Sequence, residues 1–291
     1  AHAGAFIASL LLVLFSAGVF LSGEGRALLY ATPFPGVSFV FRVDGLAAFF
    51  LGLIGTVAAL ASVYGIAYQE HFSGKYALGP FGFFYNLFLL GMVLTVSANH
   101  ALFFLFAWEL MSLASYFLVV FDRNEARNVR AGFLYLLMTQ LGTVFVAIAL
   151  LLAYQATGSF DFDVWRSQGS SLSVLWQGVL YASVLIGFGA KAGIIPLHIW
   201  LPEAHPAAPS HVSALMSGVM IKTALFMIIR FFFDFFPGAS VEWGLVLLAF
   251  GAVATLLGVL YALSENDIKR LLAYSSIENI GIILLGIGAA L

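Results

Sequence analysis

Nine runs of about twenty predominantly apolar residues follow one another along this 291-residue chain. Their recurrence limits the fold more than any single motif. The runs fall at 3–21, 44–69, 80–97, 100–121, 131–154, 174–200, 209–233, 241–263 and 271–290. An α-helix of about 20 residues crosses the roughly 30 Å of bilayer hydrocarbon, and each run is long enough to do so. No period-two alternation recurs in segments of barrel-strand length, so a transmembrane barrel is not indicated. The expected fold is all-α: one polytopic transmembrane bundle over 1–291 with about nine spans.

Turn and charge signals concentrate between the runs. They include Ser22 to Arg26, Pro33 to Pro35, Ser73 to Lys75, Asp122 to Arg130, Pro237-Gly238 and Ser264 to Arg270. Only 9% of residues are charged and 62% are hydrophobic, against about 25% charged in soluble domains. A net charge of −2 supplies no basic face for nucleic acid. Cysteine is absent, which removes disulfides, thiolate-bound zinc and an iron–sulfur cluster held by this chain alone. The chain begins Ala-His-Ala, and its first run lacks the basic flank of a signal peptide. That run is read as a true span in a processed or incomplete chain.

Loop cations give the orientation. Lys75, Arg123, Arg127, Arg130, Lys269 and Arg270 follow even-numbered spans; Arg26, Arg42, Arg166 and Arg230 follow odd-numbered ones. The excess places the first set in the cytoplasm, with the chain starting inside and ending outside.

Against this apolar background the ionisable residues within spans stand out, because a charge at mid-bilayer costs about 2.5–3.5 kcal/mol even on the lenient insertion scale. In the fourth span Glu109 lies near mid-bilayer, and Ser112 and Tyr116 follow at i+3 and i+7 on the same face. One reading is a proton-accepting carboxylate tuned by hydroxyl neighbours; the other is a structural carboxylate paired inside the bundle. The sixth span carries Lys191 and breaks its own helix. Pro196 lacks an N–H and crowds the carbonyl of Ala192, while Gly187, Gly189 and Gly193 loosen the backbone. Interrupted membrane helices persist where freed carbonyls line a cavity or meet ions. His198 lies two turns beyond Lys191 on the same nominal face. A lysine here could shed its proton by desolvation and keep it beside Glu109, or simply form a fixed ion pair with it.

After the proline-rich corner at Leu201 to Pro209, the seventh span opens with Ser210 as an expected N-cap. His211, Leu215, Gly218 and Lys222 then fall on one stripe, eleven residues making nearly three turns. That reads as a histidine at the membrane edge and a lysine station inside. His198, His205 and His211 are candidates for the same path, against the plainer role of hydrogen-bonded core histidines. Haem ligation by His198 and His211 fails because Pro202, Pro206 and Pro209 destroy the register. A metal set of Glu203, His205 and His211 lacks a closely spaced third ligand pattern. Thr139, Gln140 and Thr143, mid-span in the fifth segment, read either as groups that hydrate a cavity or as plain hydrogen bonders to neighbouring helices. Glu278 in the last span is a candidate station or partner contact.

Three stretches carry a family resemblance: GAKAGIIPLHIWLPEAHPAAPSHVSALMSGVMIK, FAWELMSLASYFLV and NDIKRLLAYSSIENIG. From about Asp44 to its end the chain resembles the antiporter-like membrane subunits of respiratory complex I, multisubunit sodium/proton antiporters and membrane-bound [NiFe] hydrogenases. The nearest branch is that of hydrogenase-4 component B and formate hydrogenlyase subunit 3; complex I relatives tend to carry histidine where this chain has Asn279. The resemblance implies that Glu109, Lys191 and Lys222 are family proton stations and that Gly193 and Pro196 mark the broken helix. Family members carry more helices, in two inverted repeats. On that comparison one N-terminal helix and several C-terminal helices, including a second broken one, are expected to be missing here.

The function implied is that of a proton-translocating membrane subunit of a redox-driven complex. It would hold no cofactor and no catalytic centre of its own and would sit in the inner membrane of a prokaryote, with other membrane subunits and a peripheral hydrogenase or dehydrogenase arm as partners. The alternatives are a sodium/proton antiporter subunit and a purely structural membrane anchor.

Overall fold

The computed structural model describes residues 1–31, 38–72, 74, 76–168 and 172–291. Ser73, Lys75 and the turn at Pro33–Pro35 lie outside the described residues. Among the described residues nine helices are long and apolar enough to cross a membrane. They are α1 (His2–Ser22), α2 (Gly45–Tyr68), α3 (Leu78–Ser97), α4 (Ala101–Val119), α5 (Ala126–Thr157), α7 (Val174–Ala192), α9 (Ser210–Phe235), α10 (Val241–Ser264) and α11 (Ile268–Ala289). Two short α-helices, α6 (Phe162–Gln168) and α8 (Leu201–Ala207), and a 3-10 turn at Gln69–Phe72 lie between them. The polytopic bundle expected from the apolar runs is observed span for span.

The sixth span corrects the expected boundary. Its helix stops at Ala192 instead of reaching 200, because Gly193 turns left-handed and starts a non-helical passage. The missed elements are β1 (Arg26–Ala31) and β2 (Ser38–Val43), an antiparallel pair in which Arg26 faces Val43. Phe39 and Phe41 of β2 pack on Phe103 at centroid distances of 4.9 and 5.0 Å, and Val40 O accepts from Asn99 N at 2.8 Å. Asp44 then accepts from Ala47 N at 3.0 Å and starts α2.

The residues group into two units. Unit one is Ala1–Asn128 with Ala208–Thr223; unit two is Val129–Ala207 with Ala224–Leu291. The division falls inside α9. Both units rely on small residues at helix crossings, as expected where lipid removes the hydrophobic drive between helices. In unit one a Cβ built on Gly91 would lie 2.8 Å from the Met111 backbone. In unit two Gly244, Gly251 and Gly258 recur every seventh residue on α10 and meet α11 so closely that added Cβ atoms would fall within 2.7–2.9 Å of its backbone. Gly187 also has a packing role rather than the loosening role expected: its Cβ would lie 2.7 Å from Val146 N on α5.

Candidate functional site

Lys191 sits in the last turn of α7 with 1% of its surface exposed. Its Nζ donates to Tyr135 Oη at 3.0 Å and stands 5.3 Å from the centre of that ring. Tyr135 comes from α5, one turn before Thr139 on the helix's buried face. The helix break supplies the third part. Gly193, at φ 79° and ψ 34°, caps α7, and the N–H groups of Gly193 and Ile194 both return to Gly189 O at 2.9 Å. Most residues resist this left-handed conformation, which explains a glycine there. The chain passes the cis Ile195–Pro196 bond and re-enters helix at Leu201. Trp200 closes the passage: its indole N–H donates to Ala190 O at 2.8 Å, and its ring lies 4.9 Å from that of Tyr135.

The break therefore lies where Gly193 and Pro196 predict it, with Gly193 ending the helix three residues before the proline. His198 does not share a helical face with Lys191, since no helix runs between them; it is half-buried with its ring 6.5 Å from that of Tyr274. His205 is buried in α8. This short helix is held to the start of α11 by Glu203, which accepts from Arg270 at 2.5 Å, and by Pro206 O, which accepts from Lys269 Nζ at 3.4 Å. Arg270 also reaches Glu265 at 3.0 Å.

In unit one, Glu109 is half-buried on α4. Ser112 lies on its buried flank and donates to Trp108 O at 2.8 Å, within its own helix. Thr139 and Thr143 of unit two likewise bond carbonyls of their own helix, at 3.0 and 3.1 Å. Ser210 is the first residue of α9, not its cap; Pro209 holds the cap position. The stripe from His211 to Lys222 does not survive. A π-helical turn at Met216–Met220 adds a residue to one turn and rotates the remainder of α9 by about 100° relative to regular 3.6-residue spacing. Lys222 is half-buried and donates to the carbonyl of Ser217 inside that turn. His211 enters an aromatic box instead: His2, Tyr68, Phe81 and Tyr85 lie at ring distances of 5.3, 5.4, 5.4 and 5.6 Å. Gly65 opens the wall of that box, where a Cβ would come within 3.0 Å of His2 and 3.1 Å of His211.

Glu278 lies midway along α11, half-buried. Among the described residues no group of three or more His, Asp or Glu side chains is placed to hold a metal ion.

Tyr135, Trp200 and His2 are the site residues that the sequence alone did not reveal. A signal existed for Tyr135, four residues before Thr139 and so on the same helical face. Trp200 and His2 gave none, because their roles depend on folding.

Residues 98–290 match the family described as "NADH:quinone oxidoreductase/Mrp antiporter, TM". Hydrogenase-4 component B of Escherichia coli (strain K12) is 44% identical over 264 residues, covering 90% of this chain and 39% of the relative. Formate hydrogenlyase subunit 3 of the same organism is 35% identical over 254 residues, covering 87% of this chain and 39% of the relative. The chain thus spans about two-fifths of the length of these curated relatives. Among solved structures, the Mrp complex from Dietzia sp. contains a chain with the same fold, at a TM-score of 0.84 and 23% identity, covering 100% of this chain and 32% of that one.

Proposed function

We propose that this chain, which belongs to the NADH:quinone oxidoreductase/Mrp antiporter transmembrane family, is a proton-translocating membrane subunit of a redox-driven complex of the hydrogenase-4, formate hydrogenlyase or NADH-quinone oxidoreductase type. The names of its relatives support a place among other subunits. A peripheral hydrogenase or dehydrogenase arm would then supply the driving reaction, and the assembly would lie in the inner membrane of a prokaryote. Within this reading the chain carries no redox cofactor; its work is to hold and pass protons.

The observation that carries the proposal is the buried Lys191 at the end of a broken helix, hydrogen-bonded to Tyr135. A phenol both donates and accepts. It can accept from the ammonium form of Lys191 and, after the proton leaves, donate to the neutral amine, so the contact serves both states. Glu109 and Lys222 are the proposed further stations, with His198, His205, His211 and Glu278 as candidates along the path.

The test is proton uptake by inverted membrane vesicles bearing the whole complex, driven by its electron donor. Lys191→Met, Glu109→Gln and Lys222→Met should each abolish uptake while electron transfer by the peripheral arm persists. Wild-type uptake in the Lys191→Met complex would defeat the proposal.

A second reading, a subunit of a sodium/proton antiporter, draws on the Mrp antiporter in the family's description and on the shared fold. Sodium-dependent proton flux in the absence of any electron donor would favour it.

A further inference from the structure

Lys191 bonds Tyr135, and the ring of Tyr135 packs on Trp200. Trp200 ends the passage 193–200, which is not helical, so no run of i→i−4 bonds fixes where its indole stands. Its place is set from the far side. Ala204 N donates to Trp200 O at 2.8 Å, which makes Trp200 the base of the first turn of α8. With seven residues α8 is too short to persist as a helix by itself. It depends on what it docks to.

That dock is the first turn of α11. Asp267 caps α11 and accepts from Lys269 N at 2.8 Å and Arg270 N at 3.2 Å, which fixes the roots of both cations. Lys269 Nζ reaches Pro206 O near the end of α8 at 3.4 Å. Arg270 donates from Nη1 to Glu203, in the first turn of α8, and from Nε to Glu265, just past α10, at 3.0 Å. One guanidinium thus joins α8, α11 and the end of α10. A lysine ammonium lacks the planar fork that makes two such bonds at once. All these groups belong to unit two.

We infer that Arg270 is a positioning residue for the proton site: through Glu203 it seats α8, and with α8 the indole that sets Tyr135 against Lys191. It acts through Trp200 and not on Lys191 directly. The inference rests on the reading of Lys191 as a proton station. Its path from Arg270 through Glu203, Trp200 and Tyr135 runs through named contacts, so the coupling along it can be measured.

The experiment uses the whole complex in inverted membrane vesicles and reads protons taken up per electron transferred. Arg270→Gln and Glu203→Gln should each lower that ratio about three- to fivefold, the range that a partly exposed ion pair can hold. Arg270→Lys should recover part of it. Asp163→Asn, which breaks an exposed pair with Arg166, should leave it unchanged. The deciding arm is a double-mutant cycle: Arg270→Gln combined with Trp200→Phe should fall no further than the more severe of the two single variants. Falls that multiply, or a wild-type ratio in both Arg270→Gln and Glu203→Gln, would overturn the inference. Should Arg270→Gln complexes fail to assemble, Glu203→Gln carries the same cycle.

A second arm does not use pumping. Ala204, fully buried in α8, is replaced by cysteine in a chain that has no other, and its modification by maleimide in the assembled complex is timed. Arg270→Gln should speed that reaction about three- to fivefold, and an unchanged rate would overturn the seating of α8. Lys191→Met, run in parallel, separates the two failures. Wild-type uptake there defeats the proton reading, whereas loss there beside an unaffected Arg270→Gln defeats only this inference.

Discussion

Lys191 and Tyr135 meet across α7 and α5, with Nζ 3.0 Å from the phenol oxygen, and Trp200 packs on the same tyrosine ring at 4.9 Å. Replacing Tyr135 by Phe keeps the ring contact and removes only the oxygen. A hydrogen bond to a charged group is worth about 1.5–3 kcal/mol, and each 1.4 kcal/mol is tenfold. Donor-driven proton uptake is therefore expected to fall at least tenfold with little loss of folded complex. Wild-type uptake in Tyr135→Phe would reduce the tyrosine to a packing group.

Trp200 tests the same corner from the stability side. Trp200→Phe removes the donor to Ala190 O while keeping an aromatic ring. Leaving a buried carbonyl without that bond costs about 1–3 kcal/mol. A lower melting temperature in detergent is the expected result, and an unchanged one would mean that water or another donor replaces the indole.

The spans were legible and parts of the site were not because the two kinds of signal differ in range. Nine long apolar runs state their own length, and Gly193 with Pro196 states a helix break; both signals are local. The π turn at Met216–Met220 has no local signature, and it alone removes the inferred alignment of His211 with Lys222. The hairpin at Arg26–Val43 hides in a chain already rich in apolar residues, where its strands show no clean alternation. The contacts of Lys191 with Tyr135, 56 residues away, and of His211 with His2 are tertiary; spacing from Thr139 marks the face of Tyr135 but not its partner.

Two glycines near Lys191 should fail for different reasons. Gly193→Ala forces a left-handed residue, worth about 1–2 kcal/mol, and its Cβ would lie 2.5 Å from Leu201 Cδ1. Adding Leu201→Ala relieves the clash but not the backbone strain; truncating that buried leucine itself costs about 2–5 kcal/mol, so the double variant is compared with Leu201→Ala alone and should keep most of the 1–2 kcal/mol penalty. Gly187→Ala meets the backbone N of Val146 at 2.7 Å, an obstacle that no rotamer relieves, and overpacking of this kind costs about 1–3 kcal/mol. Thermal unfolding of these variants and of Leu201→Ala alone separates the two mechanisms.

The loop between α2 and α3 carries a pH-sensitive contact. The Tyr76 hydroxyl donates to the Asp122 carboxylate, and that hydrogen bond pushes the phenol above its ordinary value of 10.0. With the folded value raised, the contribution is present below the unfolded pKa and is lost as pH rises through the folded one. Asp122→Asn should return the phenol toward its ordinary range. An ultraviolet difference titration against Tyr76→Phe reads the shift, and an unmoved titration would deny the contact in solution.

The last contrast concerns two ion clusters of unit two that look alike on a contact map and should not behave alike. Asp234 accepts from Arg230 at 2.7 Å and from Arg166 at 2.9 Å, in the π turn Arg230–Phe235 that ends α9. The side chain of Arg230 is 8% exposed and lies 4.9 Å from the centre of the Phe226 ring, whereas Asp163, which also meets Arg166, is 48% exposed. Breaking a fully buried pair costs about 3–5 kcal/mol, and an exposed pair contributes about 0–1. Asp234 is 28% exposed, so Asp234→Asn should lie between these limits, at about 2 kcal/mol. Asp163→Asn should cost under about 1 kcal/mol. The Arg270–Glu203 pair, with side chains 23% and 36% exposed, belongs with the weaker class, and Glu203→Gln should cost less than about 1 kcal/mol, most of it removed by molar salt. Melting curves at low and high salt check the ranking. A Glu203→Gln penalty as large as that of Asp234→Asn, unchanged by salt, would mean that α8 and α11 depend on their cluster in a way that exposure does not predict.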